Sequence, residues 1–424
     1  MKYCPLLHKL SNGITVILDP MDLETVSIKV RFETGARDET PHEYGITHFC
    51  EHMLCSGTSS FPSRKSITDY IEWYGGMQNA STSSSHIALF GRVLAENATV
   101  LIKLFAELLQ NSLFDERAIE IERRVICDEL RRSSDKNSVK FSDFIHRKLF
   151  DNAISSLRIL GNVENIMSFT RDQMLEFLSR RLSAKNCIIC VSGKINDTDE
   201  VIKCIESSFS FLPTHDVPQS TEIQYIPNVA HLASEGKNNV KLRIVFPNIW
   251  PVTYENRYNR YCVSRYKRFC VERISNVLRQ ENGLVYGFSG CSYGTNETSV
   301  FGYATETSVE NLEKVVELIS RTAYDIYTNL DISAKDLERY QRKDKLADAD
   351  WLESATRRCD TLIAEYVFYN RLYDFYEAVD LYGKITPEDV FKMSRGFYSG
   401  PMSIVTCGKD FDADLKNIWC ENFK

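Results

Sequence analysis

The sequence predicts an α+β fold of two duplicated domains, each a mainly antiparallel sheet with helices packed on one face. Two echoes carry that prediction. In the first half, Phe169-Thr-Arg-Asp-Gln-Met174 opens a helical pattern that leads into the strand Cys187-Ile-Ile-Cys-Val-Ser-Gly-Lys194. In the second, Ile385-Thr-Pro-Glu-Asp-Val390 opens another that leads into Met402-Ser-Ile-Val-Thr-Cys-Gly-Lys409. Thr170 and Thr386 suit the N-caps of these helices, each with a polar residue three positions on, Gln173 and Asp389. The alternating segments Val26–Phe32 and Val240–Phe246 form the second echo, at nearly the same offset of about 215 positions.

In chain order, Asn12-Gly13 reads as a turn before a strand from Ile14 to Leu18, and Val26–Phe32 as a half-buried strand. After Gly75-Gly76, Met77–Leu89 reads as one strand. Amphipathic patterns predict helices over Thr99–Leu113, Asp115–Leu130, Val309–Tyr327 and Ser333–Tyr366. Pro213-Thr-His-Asp-Val-Pro218 and Ile226-Pro227 break the periodicity. The expected division is therefore a first domain over 1–212, an extended linker over 213–236 and a second domain over 237–424.

The chain has 424 residues, 43% of them hydrophobic and 26% charged, with a net charge of −7. Its longest apolar runs are strand-sized, far short of the ~20 residues a membrane span needs. The acidic balance argues against nucleic acid as a partner. The basic pairs Arg123-Arg124 and Arg131-Arg132 read as a solvated helix face balanced by acids. Thirteen scattered cysteines, among them Cys187 and Cys190, read as reduced buried thiols. No secretory or mitochondrial leader pattern precedes the first strand, so a prokaryotic cytoplasm is the expected compartment.

The chemistry centres on Gly45-Ile-Thr-His48-Phe-Cys-Glu51-His52-Met-Leu-Cys-Ser-Gly57, which has helical spacing and ends at a glycine suited to a C-cap. On a helix His48 and His52 stand one turn apart, and Glu51 shares their face. Two imidazoles so placed can bind one ion. A carboxylate beside them can take a proton from a water that a metal has acidified. This is H-x-x-E-H, the inverse of H-E-x-x-H.

With its surroundings, Thr34-Gly-Ala-Arg-Asp-Glu39 before it and Gly75-Gly76-x-x-Asn79-Ala80-Ser81-Thr82 after it, the motif resembles the pitrilysin/insulinase-like zinc metallopeptidases. The similarity is greatest to the short members that include mitochondrial processing peptidase and its bacterial relatives. The resemblance implies a third zinc ligand, a glutamate on an E-x-x-x-V-x-x-E helix. Glu122-Arg-Arg-Val-Ile-Cys-Asp-Glu129 offers it, with Val125 one position early and 76 residues between His52 and Glu129. Glu129 is therefore the expected ligand. Glu122, roughly 10 Å along the helix axis, is expected to orient a ligand by a hydrogen bond.

The resemblance also implies a clamshell of the two halves and a substrate strand added to the edge formed by Asn79, Ala80, Ser81 and Thr82. Arg279 and Tyr286, in Arg279-Gln-Glu-Asn-Gly283-Leu-Val-Tyr286, match the R-x-x-x-G-L-x-Y element that holds the substrate carbonyl or its oxyanion. The bulky, charged stretch Arg265–Ile274 departs from the glycine-rich pattern usual before that arginine. His86 is placed in the edge strand near the site. The expectation is a zinc endopeptidase with one zinc per chain that cuts short or unfolded peptides as a homodimer, with no nucleic-acid or membrane partner. Glu51 would be its general base. The competing expectation is a catalytically idle peptide-binding or scaffold subunit, which loss of Glu51 or of a ligand would have marked.

Overall fold

In the computed structural model of the chain, residues 3–151, 159–218, 222–234, 238–250, 252–295 and 298–424 are described. The chain forms two compact units. One comprises Met1–Lys136, Ile154–Thr221 and Asp348–Tyr373; the other comprises Asn137–Ala153, Glu222–Ala347 and Asp374–Lys424.

The first unit is built on six strands: β1 Leu6–Lys9, β2 Thr15–Pro20, β3 Thr25–Phe32, β4 Met77–Thr82, β5 Ile87–Leu94 and β6 Cys187–Gly193. Their order is β1-β2-β6-β3-β5-β4. Only β2 and β6 pair in parallel. Val26, Ile28, Val30 and Phe32 alternate onto one face of β3 and enter the main core. There they meet apolar stripes from the helices Ile46–Leu54, Ala98–Gln110, Glu116–Ser134 and Arg171–Arg181.

The second unit carries β7 Val229–Ala233, β8 Asn239–Pro247, β9 Phe288–Gly294, β10 Ser299–Ser308 and β11 Ser403–Gly408, in the order β7-β11-β8-β10-β9. Here β7 and β11 are the parallel pair. Order and direction therefore repeat β2-β6-β3-β5-β4 strand for strand, and the echoing segments occupy equivalent positions. Gly193 and Gly408, which close the echoed strands, both have positive φ, 134° and 148°. A Cβ there would lie 2.4 Å from the Thr25 carbonyl oxygen in one case and 2.1 Å from that of Asn239 in the other, at the starts of β3 and β8. Thr170 and Thr386 cap their helices as the spacing predicts, each in a reciprocal capping box.

The division at 213–236 needs correction, because each sheet takes a helix from the other half of the sequence. In the first unit, the helix Ala355–Tyr369 packs on β6, β3 and β2. Its anchor is Arg358, whose guanidinium grips buried Asp19 through both carboxylate oxygens, the Nε–Oδ2 contact being 2.7 Å. In the second unit, Phe141, Ile145 and Leu149 of the helix Asn137–Leu149 pack against Val245, Val300 and Val405. In addition, Val229–Ala233, inside the expected linker, forms β7.

Other element boundaries also differ. The single strand over Met77–Leu89 is a hairpin, turned at Ser83–His86, where the Ser83 N–H donates to the His86 carbonyl at 2.8 Å. The helix over Ser333–Tyr366 is two, Ala334–Leu352 and Ala355–Tyr369, because Ser354 caps the second by accepting from Arg357 N–H. Arg123 belongs to no solvated face: it is buried and donates to the carbonyls of Ile166 and Phe169.

Candidate metal centre

The motif helix Ile46–Leu54 owes its orientation to Ile46, Phe49, Cys50, Met53 and Leu54, all buried. Their i, i+3, i+4, i+7, i+8 spacing makes one apolar stripe. His48, Glu51 and His52 fall outside the stripe. The helix stops at Leu54, ahead of Gly57. At its start Gly45 has φ 90°, and a Cβ on it would come within 2.9 Å of Gly161 Cα, so two backbones meet there without side chains.

The glutamate helix Glu116–Ser134 is capped by Asp115, which accepts from Ala118 N–H, and it buries Ile119, Arg123, Ile126, Cys127 and Leu130. Glu122 and Glu129, seven residues apart, then share one side. Glu129 Oε2 lies 3.9 Å from both His48 Nε2 and His52 Nε2. One ligand atom from each of the three residues falls within 4.8 Å of the others. Tetrahedral zinc with bonds near 2.0–2.2 Å places its ligand atoms roughly 3.3–3.6 Å apart. The donor set suits such an ion, and the two glutamate–histidine distances of 3.9 Å would close by a few tenths of an ångström on binding.

Protonation favours ligation. Burial, reinforced by neighbouring His52, lowers the His48 pKa to about 4, so its imidazole is neutral at neutral pH. His52 Nδ1 is 2.7 Å from Glu122 Oε2. A carboxylate only accepts, so Nδ1 carries a proton, and in the neutral imidazole that leaves the Nε2 lone pair for a metal. Arg64 donates to Glu122 Oε1 at 3.0 Å and to the His52 carbonyl at 3.3 Å. Burial works against the Glu122 carboxylate, but the bonds from His52 and Arg64 prevail and hold its pKa below the ordinary value. Glu122→Ala is expected to weaken zinc binding about 10–100-fold without unfolding the chain, read by competition with a chelating dye.

Glu51 stands apart from the three donors. Its Oε2 accepts from Thr82 Oγ1–H at 2.9 Å, which ties it to the end of β4. Burial raises its pKa despite that bond and the nearby charges of His52 and Arg64. β4 is the outermost strand of its sheet, paired with β5 alone among the described residues. Along it Ala80 is buried, Asn79 is exposed, and Ser81 and Thr82 are half-buried. His86 lies in the hairpin turn rather than in β4, bound to Ser83 Oγ at 2.8 Å. In the second unit, Arg279 lies in a π-helical turn, Asn276–Glu281, and its guanidinium is 5.8 Å from the ring centroid of Tyr286, which is 93% exposed.

Three contributors escaped the sequence reading: Arg64, Thr82 as a partner of Glu51, and Glu39. Glu39 is buried and accepts from Gly45 N–H and Thr47 N–H, both at 2.9 Å, at the start of the motif helix. The sequence signal available was an acid shortly before a helix whose cap residue, Gly45, has no side chain. Burial pushes its pKa up to about 8 against those two bonds. Between the ordinary carboxylate value and about 8 the unfolded chain releases this proton first, so Glu39 lowers stability as pH rises through that window. Denaturant titrations of wild type minus Glu39→Gln are expected to show that slope, and to show none above the window.

The fold and donor set together define a class: two-domain α/β proteins with an inverted H-x-x-E-H helix and a distal glutamate. Residues 16–162 match the family model described as insulinase (peptidase family M16), and residues 168–343 that of the peptidase M16 inactive domain. The chain belongs to peptidase family M16. It is 32% identical over 219 residues to the mitochondrial-processing peptidase subunit beta of Dictyostelium discoideum, a match spanning 52% of this chain and 46% of that protein. An uncharacterized zinc protease of Rickettsia felis is 26% identical over 72% of this chain and 74% of its own length. A protease from Helicobacter pylori shares the fold, with a TM-score of 0.81, 17% identity and coverage of 96% of this chain and 99% of that one. No helix among the described residues is long and apolar enough to cross a membrane.

Proposed function

We propose that the chain is a zinc metalloendopeptidase that hydrolyses short or unfolded peptides. The observation that carries this reading is the His48–His52–Glu129 cluster, with Glu51 outside it but close enough to feel the charges of His52 and Glu129. The three residues would hold one zinc per chain, and a zinc so held supplies Lewis acidity and lowers the pKa of water towards neutrality. Glu51, with its raised pKa, takes the proton of the attacking water and returns it to the leaving amine. Thr82 keeps that carboxylate turned to β4, along whose free edge the peptide lies as an added strand. Asn79, Ala80 and Ser81 supply the rest of that edge. Arg279 and Tyr286 are assigned to the substrate carbonyl by the sequence resemblance, and the exposure of Tyr286 leaves it free to meet a ligand. Finding both elements in one chain favours a self-sufficient subunit, acting as a homodimer or a monomer.

The test combines metal content with cleavage of a quenched fluorescent peptide. Purified protein is expected to hold one zinc, to lose cleavage on dialysis against a chelator and to regain it with added zinc. A protein that holds zinc yet cuts no peptide would support the idle peptide-binding reading instead.

A further inference from the structure

Among the described residues of the first unit, the second face of its sheet is covered only in part. The helix Ala355–Tyr369 packs on β6, β3 and β2, and beside it, over β3, β5 and β4, lies a cavity of about 350 Å³. The register sets its floor: Met77, Arg92 and Ser27 form one cross-strand row, and Asn79, Phe90 and Lys29 the next. Thr356, Cys359 and Asp360 of the helix form its wall. Its apolar lining includes Phe90, Cys359 and Met77, and Met77 is 64% exposed. Lys29 is paired within the wall, 2.6 Å from Asp360 Oδ1 and 5.6 Å from the Phe90 ring centroid. Lys29 and Asp360 therefore satisfy each other, and the third lining charge, Arg92, is exposed, with its Nε donating to Thr25 Oγ1 at 3.0 Å.

We propose that this cavity is a specificity site for an apolar side chain, aromatic or branched aliphatic, of an extended peptide lying along β4. The proposal rests on the peptidase reading above. Residues opposite one another on neighbouring strands turn their side chains to the same face, so peptide residues opposite Met77 and Asn79 hang over the cavity. Thr82, at the other end of β4, holds Glu51. The favoured side chain therefore belongs about three to five positions from the bond that is cut. The volume lies within the ~300–1,000 Å³ usual for ligand sites and accepts one large side chain.

The experiment is a set of quenched peptides on a Gly/Ser background, each with Phe, Leu, Lys or Glu at one position up to six residues either side of the scissile bond. Zinc-loaded wild type is expected to cut the Phe and Leu peptides about tenfold faster (kcat/KM) than Lys or Glu ones at a position three to five residues away. Met77→Ala, which removes apolar lining surface, and Thr356→Trp, which fills the cavity, are expected to flatten that preference. Both should leave cleavage of the all-Gly/Ser peptide unchanged. Fluorescence anisotropy of the same peptides on Glu51→Gln reads the preference without catalysis. Cleavage with no positional preference, or a preference that Met77→Ala and Thr356→Trp leave intact, overturns the cavity assignment alone. Absence of all cleavage overturns the peptidase reading, and the anisotropy ranking then still decides the cavity.

Discussion

Glu51→Gln is expected to lower kcat/KM for peptide cleavage by about 10²–10⁴-fold, the usual worth of a general base, while the protein keeps its zinc. The substitution preserves shape, and the amide oxygen can still accept from Thr82 Oγ1–H, which is 2.9 Å away in the wild type. It removes only the capacity to take a proton. Glu51 is not one of the three residues whose donor atoms lie within 4.8 Å of each other, so metal content should not follow the loss of rate. Glu129→Gln supplies the contrast. It removes the charge of the cluster's one carboxylate, which faces both Nε2 atoms, and metal and activity should fall together. Measured side by side, metal by atomic absorption and rate by a fluorogenic peptide, the two variants separate base from ligand. Zinc retained with cleavage surviving Glu51→Gln would sink the mechanism; zinc lost from Glu51→Gln would make that residue a ligand.

Local periodicity made part of this legible. The i, i+4 spacing of His48 and His52 and the apolar stripe behind them are properties of one short helix, and the structure shows both. The duplicated sheets were legible for the same reason, since alternation in Val26–Phe32 and Val240–Phe246 is local. The contact of Glu129 with the histidines joins two distant helices. No periodicity announces that, and the family spacing located it. The Met77–Leu89 hairpin was missed because Ser83-Ser84-Ser85 reads as polar strand, while its turn is set by bonds of Ser83 to His86. Arg64 was missed because its partners, Glu122 and the His52 carbonyl, lie 58 and 12 positions away. The exchange of helices between the halves was out of reach for a stronger reason. An amphipathic helix does not state which sheet it covers, and only the buried arginine in Ala355–Tyr369 signals that a carboxylate waits on the far side.

That arginine leads to the largest expected effect on stability. Arg358→Met should destabilise the first unit by about 3–5 kcal/mol, because it leaves a fully buried charge without its partner. Asp19 is 0% exposed, and its remaining contact is a bond from Ser192 Oγ–H at 2.6 Å. Arg358 is 5% exposed and lies against the edge-to-face pair Tyr3 and Trp351, 4.8 and 5.4 Å from their ring centroids. A methionine there would keep most of the packing, so the loss reports the charge rather than a cavity. Asp19→Leu with Arg358→Met removes both charges, and urea unfolding should recover most of the lost stability, since apolar pairs replace buried ion pairs at little cost. If the single variant instead unfolds within ~1 kcal/mol of wild type, the pair contributes no more than a surface salt bridge. In that case the helix Ala355–Tyr369 is held by its apolar contacts on β6 and β3. If the single variant falls and the double does not recover, the pair owes its worth to its neighbours Ser192, Tyr3 and Trp351. Recovery by the double variant is the expected result: the ion pair selects which sheet this helix covers more than it stabilises the unit.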